Sequence, residues 1–318
     1  MNIQQTISLP TRYISTIDVL GPKDCFLDLI RADTTAKISI YNGEEISIYG
    51  TQEEVERVNK IFDKLIDIAS THEPITTTEV GVLINQSHDG DFFVPQDDSL
   101  ILKYGKKEIR TRTKGQQEYL NSLRKNDITI AIGAPGTSKT FTAVCYGLSL
   151  LKNKEVDKIV ICRPMVEAKG ENSLGSLPGE IGAKLQLYLL PMMDVFERVL
   201  GKEKLDAYIE TGRIQMLPVG YMRGLSLYKT YLICDEAENL NITLAQLLVT
   251  RIGEGSKIIV CGDPMQQDSR EQSGLNYLAN SLEPLSGVGV IRMEDKDIVR
   301  HPMITKMLKA FKEYDQRR

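Results

Sequence analysis

The chain has 318 residues and a formal net charge of −4, with 42% apolar and 26% charged residues. These values are ordinary for a folded globular chain, and they exclude extensive disorder and a collagen-like or low-complexity composition. No apolar run approaches the ~20 residues of a membrane span, and the first residues lack a secretion-signal pattern. We therefore expect a cytoplasmic protein that makes no membrane contact.

Charge is distributed unevenly along the chain. Residues 1–110 carry 11 basic and 18 acidic side chains, whereas residues 111–318 carry 28 basic and 25 acidic ones. This asymmetry predicts different roles for the two parts. It also indicates that net charge alone does not draw the N-terminal part to nucleic acid.

The N-terminal part is predicted to form a small α+β module over residues 1–70. A helix follows Gly21-Pro22, the runs KISIY and EISIY predict a hairpin around Asn42-Gly43, and an amphipathic helix follows Thr51. The α-β-β-α order is KH-like, but the chain lacks the GxxG loop with which KH domains clamp nucleotides. RNA binding and a docking or oligomerisation role both stay open for this module. Residues 71–113 alternate polar clusters with short apolar runs, which predicts a connector with hairpins.

The remainder, residues 114–318, is predicted to be an α/β domain with a mostly parallel, doubly wound sheet. Six apolar runs alternate with helical stretches, and strands that are apolar on both faces are typical of a parallel sheet covered on both sides. The six runs are DITIAIG (127–133), KIVICR (158–163), RIQMLPV (213–219), TYLICD (230–235), KIIVCGD (257–263) and GVGVIRM (287–293).

A glycine-containing loop lies directly between the first of these runs and a helical stretch, which is the context of a phosphate-binding loop. Loop N–H groups and the dipole of the following helix favour a phosphate there. Lys139 is expected to bridge the β- and γ-phosphates, and Thr140 is expected to bind Mg²⁺. The loop departs from G-x-x-x-x-G-K-[ST] at Ser138, which we expect to be tolerated because it begins the helix and needs no glycine-only conformation. The candidate nucleotide-binding residues of the loop are Gly133, Ala134, Pro135, Gly136, Thr137, Ser138, Lys139 and Thr140.

Two later strand ends carry polar residues that complete a hydrolase site. Asp235 ends the run TYLICD, where a Mg²⁺ shell needs a carboxylate, and Glu236 can polarise an attacking water. Gln266 follows KIIVCGD at the same predicted sheet edge and can sense the γ-phosphate or that water. These residues predict Mg²⁺-dependent hydrolysis of a nucleoside triphosphate.

These motifs resemble those of the PhoH family of ATPases, whose core is similar to the first motor domain of superfamily 1 helicases. The resemblance implies a RecA-like P-loop NTPase core, a KH-like N-terminal module and a link to RNA metabolism, as a helicase or as the partner of an RNA-processing protein. It also implies that Gln116, in the family's Q-containing segment, contacts adenine and makes ATP the preferred nucleotide. Glu238 departs from the glutamine that is usual in the family. Further similar stretches are RPMVEAKGENSLGSLPGE (163–180), YMRG (221–224), LLVTRIGEGSK (247–257) and DIVRHPMI (297–304).

The cation that phosphoryl transfer needs at the γ-phosphate is not assigned by these motifs. We expect a single motor core, so the cation comes from within that core or from a neighbouring protomer. The second arrangement predicts a homo-oligomer with heterologous contacts, either a ring, for example a hexamer, or a filament. The candidates, each at a strand end or motif, are Arg163, Arg223, Arg251 and Arg300.

Two other functions are compatible with a phosphate loop. One is a nucleotide-gated binding protein with low turnover, at which Ser138 and Glu238 hint. The other is a P-loop kinase, which the Asp235-Glu236 pair disfavours, because a kinase activates a substrate hydroxyl and needs no water-polarising glutamate.

Overall fold

The computed structural model of the chain describes residues 2–10, 14–70, 75–90, 92–93, 95, 97–105, 107–164, 181–267, 272–299, 307 and 314. The chain divides into two compact units, one formed by Met1–Val94 with Lys296–Arg318 and the other by Pro95–Asp295. Within the described ranges no helix is long and apolar enough to cross a membrane.

The described part of the N-terminal unit is a small antiparallel sheet with helices. Its elements are β1 (Asn2–Ser8), α1 (Thr16–Leu20), α2 (Cys25–Arg31), β2 (Lys37–Tyr41), β3 (Glu45–Thr51), α3 (Gln52–Ser70) and α4 (Thr77–Asp89). The predicted hairpin around Asn42-Gly43 is present, because β2 pairs antiparallel with β3. Strand β1 adds to the other edge of β3 and was not predicted. One face carries Ile3 and Ile7, which pack against the core, but Gln5 lies between them, so the apolar alternation is too short to indicate a strand.

Helix α4 differs from the predicted connector of residues 71–113. It begins at a capping box, in which the Thr76 hydroxyl accepts the N–H of Glu79 and the Glu79 carboxylate accepts the N–H of Thr76. Three of its buried apolar side chains recur at helical spacing and join the apolar core of the N-terminal unit; they are Val80, Leu83 and Ile84. The short run VGVLI is too brief for its period to separate a helix from a strand. The structure therefore assigns this segment to the N-terminal unit.

The second unit contains a hairpin and a larger sheet. Its described elements are β4 (Leu100–Tyr104), β5 (Lys107–Arg110), α5 (Lys114–Lys125), β6 (Ile128–Ile132), α6 (Lys139–Lys152), β7 (Lys158–Cys162), α7 (Ile181–Leu200), α8 (Lys202–Glu210), β8 (Ile214–Met216), β9 (Thr230–Cys234), α9 (Ile242–Val249), β10 (Lys257–Gly262), α10 (Gly274–Leu282) and β11 (Val288–Arg292). The sheet has the order β11-β6-β10-β9-β7-β8, and all of its described pairs are parallel. The predicted α/β class and all six predicted strands are confirmed.

Alternate side chains of each central strand enter opposite layers of the core. On β7, Ile159 and Ile161 belong to the cluster that includes α5, α6, α7 and α8, whereas Val160 and Cys162 belong to the cluster that includes α9 and α10. Both faces of the strand are thus removed from water, which explains its continuous apolar sequence. Charged groups can then be accommodated only where strands end.

Candidate active site

Four strand ends meet at the carboxyl edge of the parallel sheet. The N–H of Gly133, after β6, donates to the carbonyl of Gly262 at 3.2 Å. The N–H of Asp235, after β9, donates to the carbonyl of Cys162 at the end of β7 at 3.1 Å. The loop, the acidic pair and the residues that follow β7 and β10 therefore share one edge.

The loop between β6 and α6 is held by its own side chains. Thr137 is buried, and its hydroxyl donates to the carbonyl of Ala134 at 2.9 Å. The Lys139 ammonium donates to the carbonyls of Gly133 and Ala134 at 2.6 and 3.0 Å and to the Thr137 hydroxyl at 3.3 Å. These bonds satisfy an ammonium whose residue is only 9% exposed.

The Lys139 ammonium lies in the field of three carboxyl groups. Burial lowers the pKa of Lys139, and the charges of Asp263, Asp235 and Glu238 oppose that shift. A cation in these surroundings is attracted to further anionic oxygens, such as those of a phosphate.

The expectation that Ser138 needs no conformation reserved for glycine is wrong. It is the N-cap of α6 with φ +68° and ψ 24°, in the left-handed region that glycine favours, and its side chain makes no capping hydrogen bond. A residue with a Cβ pays roughly 1–2 kcal/mol for this conformation. The loop thus turns into the helix through a conformation for which serine is poorly suited.

Thr140 and Asp235 form the contact between the loop and the acidic pair. The Thr140 hydroxyl donates to Oδ1 of Asp235 at 2.8 Å, across 95 positions of sequence. Burial raises the pKa of Asp235, and the Thr140 hydrogen bond opposes the shift. A hydroxyl and a carboxylate are hard oxygen ligands, and Mg²⁺ typically takes only one or two of these from a protein while phosphates and waters supply the rest. The pair fits a magnesium site.

Glu236 and Arg163 form an ion pair at the same edge, between an Arg163 terminal nitrogen and Oε2 of Glu236. The Glu236 side chain remains 40% exposed, so its carboxylate can meet solvent. Its backbone is left-handed, with φ +52° and ψ 40°, where the chain enters a 3-10 turn over Ala237–Asn239. The sequence-predicted water-polarising residue and one candidate arginine are therefore in contact.

The residues after β10 are tied to the acidic segment through a residue to which sequence analysis gave no role. The Gln266 amide donates to Oδ2 of Asp263 at 2.7 Å. The N–H of Asp263 donates to Oε2 of Glu238 at 3.0 Å. Glu238 was recognised only as a departure from the family pattern; its spacing, two positions after Glu236, was the one signal that it belongs to the site.

Gln116 lies against the loop and is buried. Its amide nitrogen is 3.5 Å from the carbonyl of Thr137, and its amide oxygen accepts the N–H of Arg112 at 2.9 Å. Both ends of the amide therefore have partners within the chain. The adenine contact stays a prediction, and the structure adds a contact with the loop.

Of the other candidate arginines, Arg251 is not brought to this edge within the described part of one chain. Arg251 follows α9 and precedes β10, towards the amino ends of the strands, where its guanidinium donates to the carbonyl of Leu225 at 3.2 Å. Arg223 is exposed after the 3-10 turn Val219–Met222. Arg300 lies outside the described residues.

A doubly wound parallel sheet with a strand–loop–helix phosphate loop, and a carboxylate from a neighbouring strand beside it, defines the core of a P-loop NTPase. Residues 108–312 match the family model described as PhoH-like protein. The chain belongs to this PhoH family, as its motifs predict.

Relatives of full length have similar sequences. The chain is 34% identical to the PhoH-like protein of Bacillus subtilis (strain 168) over 93% of each chain. It is 32% identical to the PhoH-like protein of Synechocystis sp. (strain ATCC 27184 / PCC 6803 / Kazusa), over 96% of this chain and 94% of the relative. Among solved structures, the Sulfolobus solfataricus SWI2/SNF2 ATPase core in complex with dsDNA is similar with a TM-score of 0.34 at 12% identity, over 64% of this chain and 47% of that chain.

Replacing Ser138 with glycine is expected to stabilise the second unit. Glycine removes the cost of the left-handed backbone, and its greater freedom in the unfolded chain offsets part of the gain, so we expect about 1 kcal/mol or less. For a unit of this size that corresponds to a rise in melting temperature of about 2–4 °C per kcal/mol in a thermal unfolding experiment. Ser138→Ala is the matched control, because it removes the hydroxyl and keeps the Cβ. Equal melting temperatures for the two variants would show that the backbone strain contributes nothing.

Proposed function

We propose that the protein is a Mg²⁺-dependent ATP hydrolase. The observation that carries the proposal is the 2.8 Å hydrogen bond between Thr140 and Asp235, which joins the phosphate loop to the acidic pair. Lys139 precedes the first of these residues and Glu236 follows the second. A phosphate-binding cation, two metal ligands and a carboxylate that can face water are thereby collected at one edge of the sheet.

The loop side of the site would bind the triphosphate. Lys139 now donates to neutral carbonyl and hydroxyl oxygens, and the anionic oxygens of a β- or γ-phosphate are stronger acceptors for an ammonium. Thr140 and Asp235 would hold Mg²⁺, which, when bound, supplies positive charge against the phosphate oxygens. The main-chain N–H groups at the start of α6 would add donors for the β-phosphate.

The acidic side of the site would prepare water for attack. Glu236 would accept a proton from a water placed in line with the γ-phosphate. Arg163 orients the Glu236 carboxylate through the ion pair and provides a positive charge close to the reacting groups. Gln266, held by Asp263, is near enough in sequence and topology to sense the same water. For the base, Gln116 would help to select adenine from its position beside Thr137.

We also propose a homo-oligomer in which an arginine reaches the site of a neighbouring copy. Arg251 supports this arrangement, because it lies towards the amino ends of the strands and could meet a loop only on another protomer. Such a heterologous contact forms a ring when the rotation between copies closes and a filament when it does not. Native mass at working concentration tests the arrangement, and full ATPase activity in a strictly monomeric protein would overturn it.

RNA is the proposed polymer partner, and one surface of the second unit supports it. Tyr221 and Tyr228 are 67% and 57% exposed, and the Lys229 ammonium lies 5.9 Å from the centroid of the Tyr228 ring. Residues 219–229 include two basic side chains, on Arg223 and Lys229, and no acidic ones. Exposed aromatic rings beside cations are the groups on which single-stranded bases stack.

The second candidate function is a nucleotide-gated binding protein with low turnover. The Arg163–Glu236 ion pair favours it, because the guanidinium occupies the carboxylate that would otherwise accept a proton from water. Asp235 and Glu236 favour the gated binding protein over a P-loop kinase. A glutamate beside the proposed metal ligand has no role in transfer of phosphate to a substrate hydroxyl.

Phosphate release, measured with and without RNA, separates these functions. We expect Glu236→Gln to bind ATP with near wild-type affinity and to lose about 10²–10⁴-fold in turnover, because an amide cannot accept the proton of water. Lys139→Ala should lose both affinity and turnover. Glu203→Gln is the control, since Glu203 is an exposed acid in the first turn of α8 and belongs to none of the proposed binding surfaces.

Each outcome selects one function. Phosphate release that depends on Glu236 supports the hydrolase, and tight ATP binding without release in the wild type supports the gated binding protein. Phosphate passed to an added acceptor supports the kinase. No saturable ATP affinity in magnesium buffer, or wild-type behaviour of Lys139→Ala, would contradict all three.

A separate prediction about RNA follows from the exposed Tyr221 and Tyr228 side chains. Tyr228→Ala should weaken binding of a single-stranded oligoribonucleotide by the equivalent of about 1–3 kcal/mol, which is the usual value of one stacked base. Tyr228→Phe keeps the ring and should bind normally, and both variants should keep the ATPase rate measured without RNA. Equal RNA affinity for all three proteins in a fluorescence anisotropy titration would remove this surface from the scheme.

A further inference from the structure

The side chain of Glu238 bridges two strand ends of the active-site edge. The residue is only 3% exposed and lies in the 3-10 turn after β9. Its Oε2 accepts the N–H of Asp263, the first residue after β10, at 3.0 Å. Gly262 directly precedes Asp263, and a Cβ on Gly262 would lie 2.4 Å from Oε2 of Glu238, so only glycine leaves room for the carboxyl group. The absence of a Cβ at position 262 therefore makes the contact between Glu238 and Asp263 possible.

The charged surroundings of Glu238 are predominantly negative. The carboxylates of Asp235 and Glu236 lie between the end of β9 and Glu238, and Asp263 follows β10. The cation that interacts with Glu238 is Lys139, in the first turn of α6. Among the described residues, helices α9 and α10 contribute no charged side chain around it. The nearest ionisable group on α10 is the Tyr277 hydroxyl, which accepts a hydrogen bond from Gln246.

Two protonation states of Glu238 are accessible near neutral pH. Burial raises its pKa to about 7, the charges of Glu236 and Asp235 add to the shift, and hydrogen bonds from its own N–H and that of Asp263 oppose it. The protonated form is neutral. The ionised form places one more negative charge beside Asp235, Glu236 and Asp263, at the edge where a triphosphate would bind.

We propose that Glu238 is a positioning residue that holds the Asp263–Gln266 segment against the acidic pair, and that its neutral form is the one that binds nucleotide. The inference rests on the proposed ATP binding and deepens it. Ionised Glu238 repels the anionic ligand, so affinity falls as the proton is lost with rising pH. If only the neutral form binds, a titration centred on about pH 7 weakens apparent affinity about tenfold between about pH 6 and about pH 8.

Equilibrium binding of a fluorescent, non-hydrolysable ATP analogue in magnesium buffer tests the proposal on wild type and Glu238→Gln. The amide mimics the neutral carboxyl and cannot ionise, so the variant should bind equally well at both pH values after correction for the analogue. The analogue's own phosphate ionisation is common to both proteins and cancels in the ratio of their dissociation constants. We expect that ratio, wild type over variant, to rise from near one at about pH 6 to about ten at about pH 8.

Thermal unfolding without nucleotide provides a second measurement. Because the pKa of Glu238 is raised on folding, its contribution to stability is greatest at low pH and declines as the pH rises from the ordinary glutamate value of 4.5 through about 7. Glu238→Gln should therefore melt higher than wild type at about pH 8, and this advantage should shrink towards about pH 6. Should the variant fail to fold, ¹³C NMR of glutamate-labelled wild type must still show one carboxyl titrating near pH 7.

The experiments distinguish failure of the proposed Glu238 role from failure of the proposed ATPase function. A flat ratio of dissociation constants, in a wild type that binds and hydrolyses ATP, overturns the role of Glu238 and leaves the ATPase intact. The absence of a carboxyl titrating near neutral pH overturns it as well. A wild type that binds no nucleotide at either pH instead overturns the proposed function itself.

Discussion

The hydrogen bond from Thr140 to Asp235 is the contact on which the rest of the active-site edge depends. It joins the first turn of α6 to the end of β9, and Asp235 is desolvated enough for its pKa to be raised. A buried carboxylate is costly without partners, so the hydroxyl at 2.8 Å and the nearby positive charge of Arg163 are what make its position tenable. Any movement of the loop relative to β9 breaks this bond, which keeps the phosphate loop and the acidic pair in register.

The parallel sheet explains why charges accumulate at one edge. Its central strands are buried on both faces, so their interior positions carry no charged side chain. Parallel register brings the ends of β6, β7, β9 and β10 together. Strands β7, β9 and β10 are each followed directly by a charged residue, Arg163, Asp235 and Asp263, and β6 leads into the phosphate loop. The carboxylates repel one another there, and Lys139 and Arg163 are the cations that offset them. An anionic ligand with its own metal fits the same balance of charge.

Elements and residues that are marked by an apolar run or a motif could be predicted from the sequence. Residues whose conformation or contacts depend on parts of the chain that are distant in sequence could not. Continuous apolar runs identified all six strands of the sheet, whereas β1, with two isoleucines among polar residues, and the short run in α4 carry too little periodicity to be recognised. Position in a motif predicted Asp235 and Glu236. It could not predict that Ser138 adopts a left-handed backbone, which depends on how the loop closes, or that Glu238 reaches Asp263, because that contact spans 25 positions and requires Gly262 to lack a Cβ.

Two strained residues flank the proposed chemistry, and their positions suggest why the strain is kept. Ser138 and Glu236 both have left-handed backbones, one at the start of α6 and the other just after Asp235. Such conformations persist only where surrounding contacts over-determine them, here the loop bonds of Lys139 and Thr137 and the Arg163 ion pair. Both residues lie at turns that follow or precede the elements of this edge, Ser138 before α6 and Glu236 after β9. Because folding already holds the backbone in these conformations, binding of an anionic ligand would require reorganisation chiefly of the Lys139 side chain, which would exchange loop carbonyls for anionic oxygens.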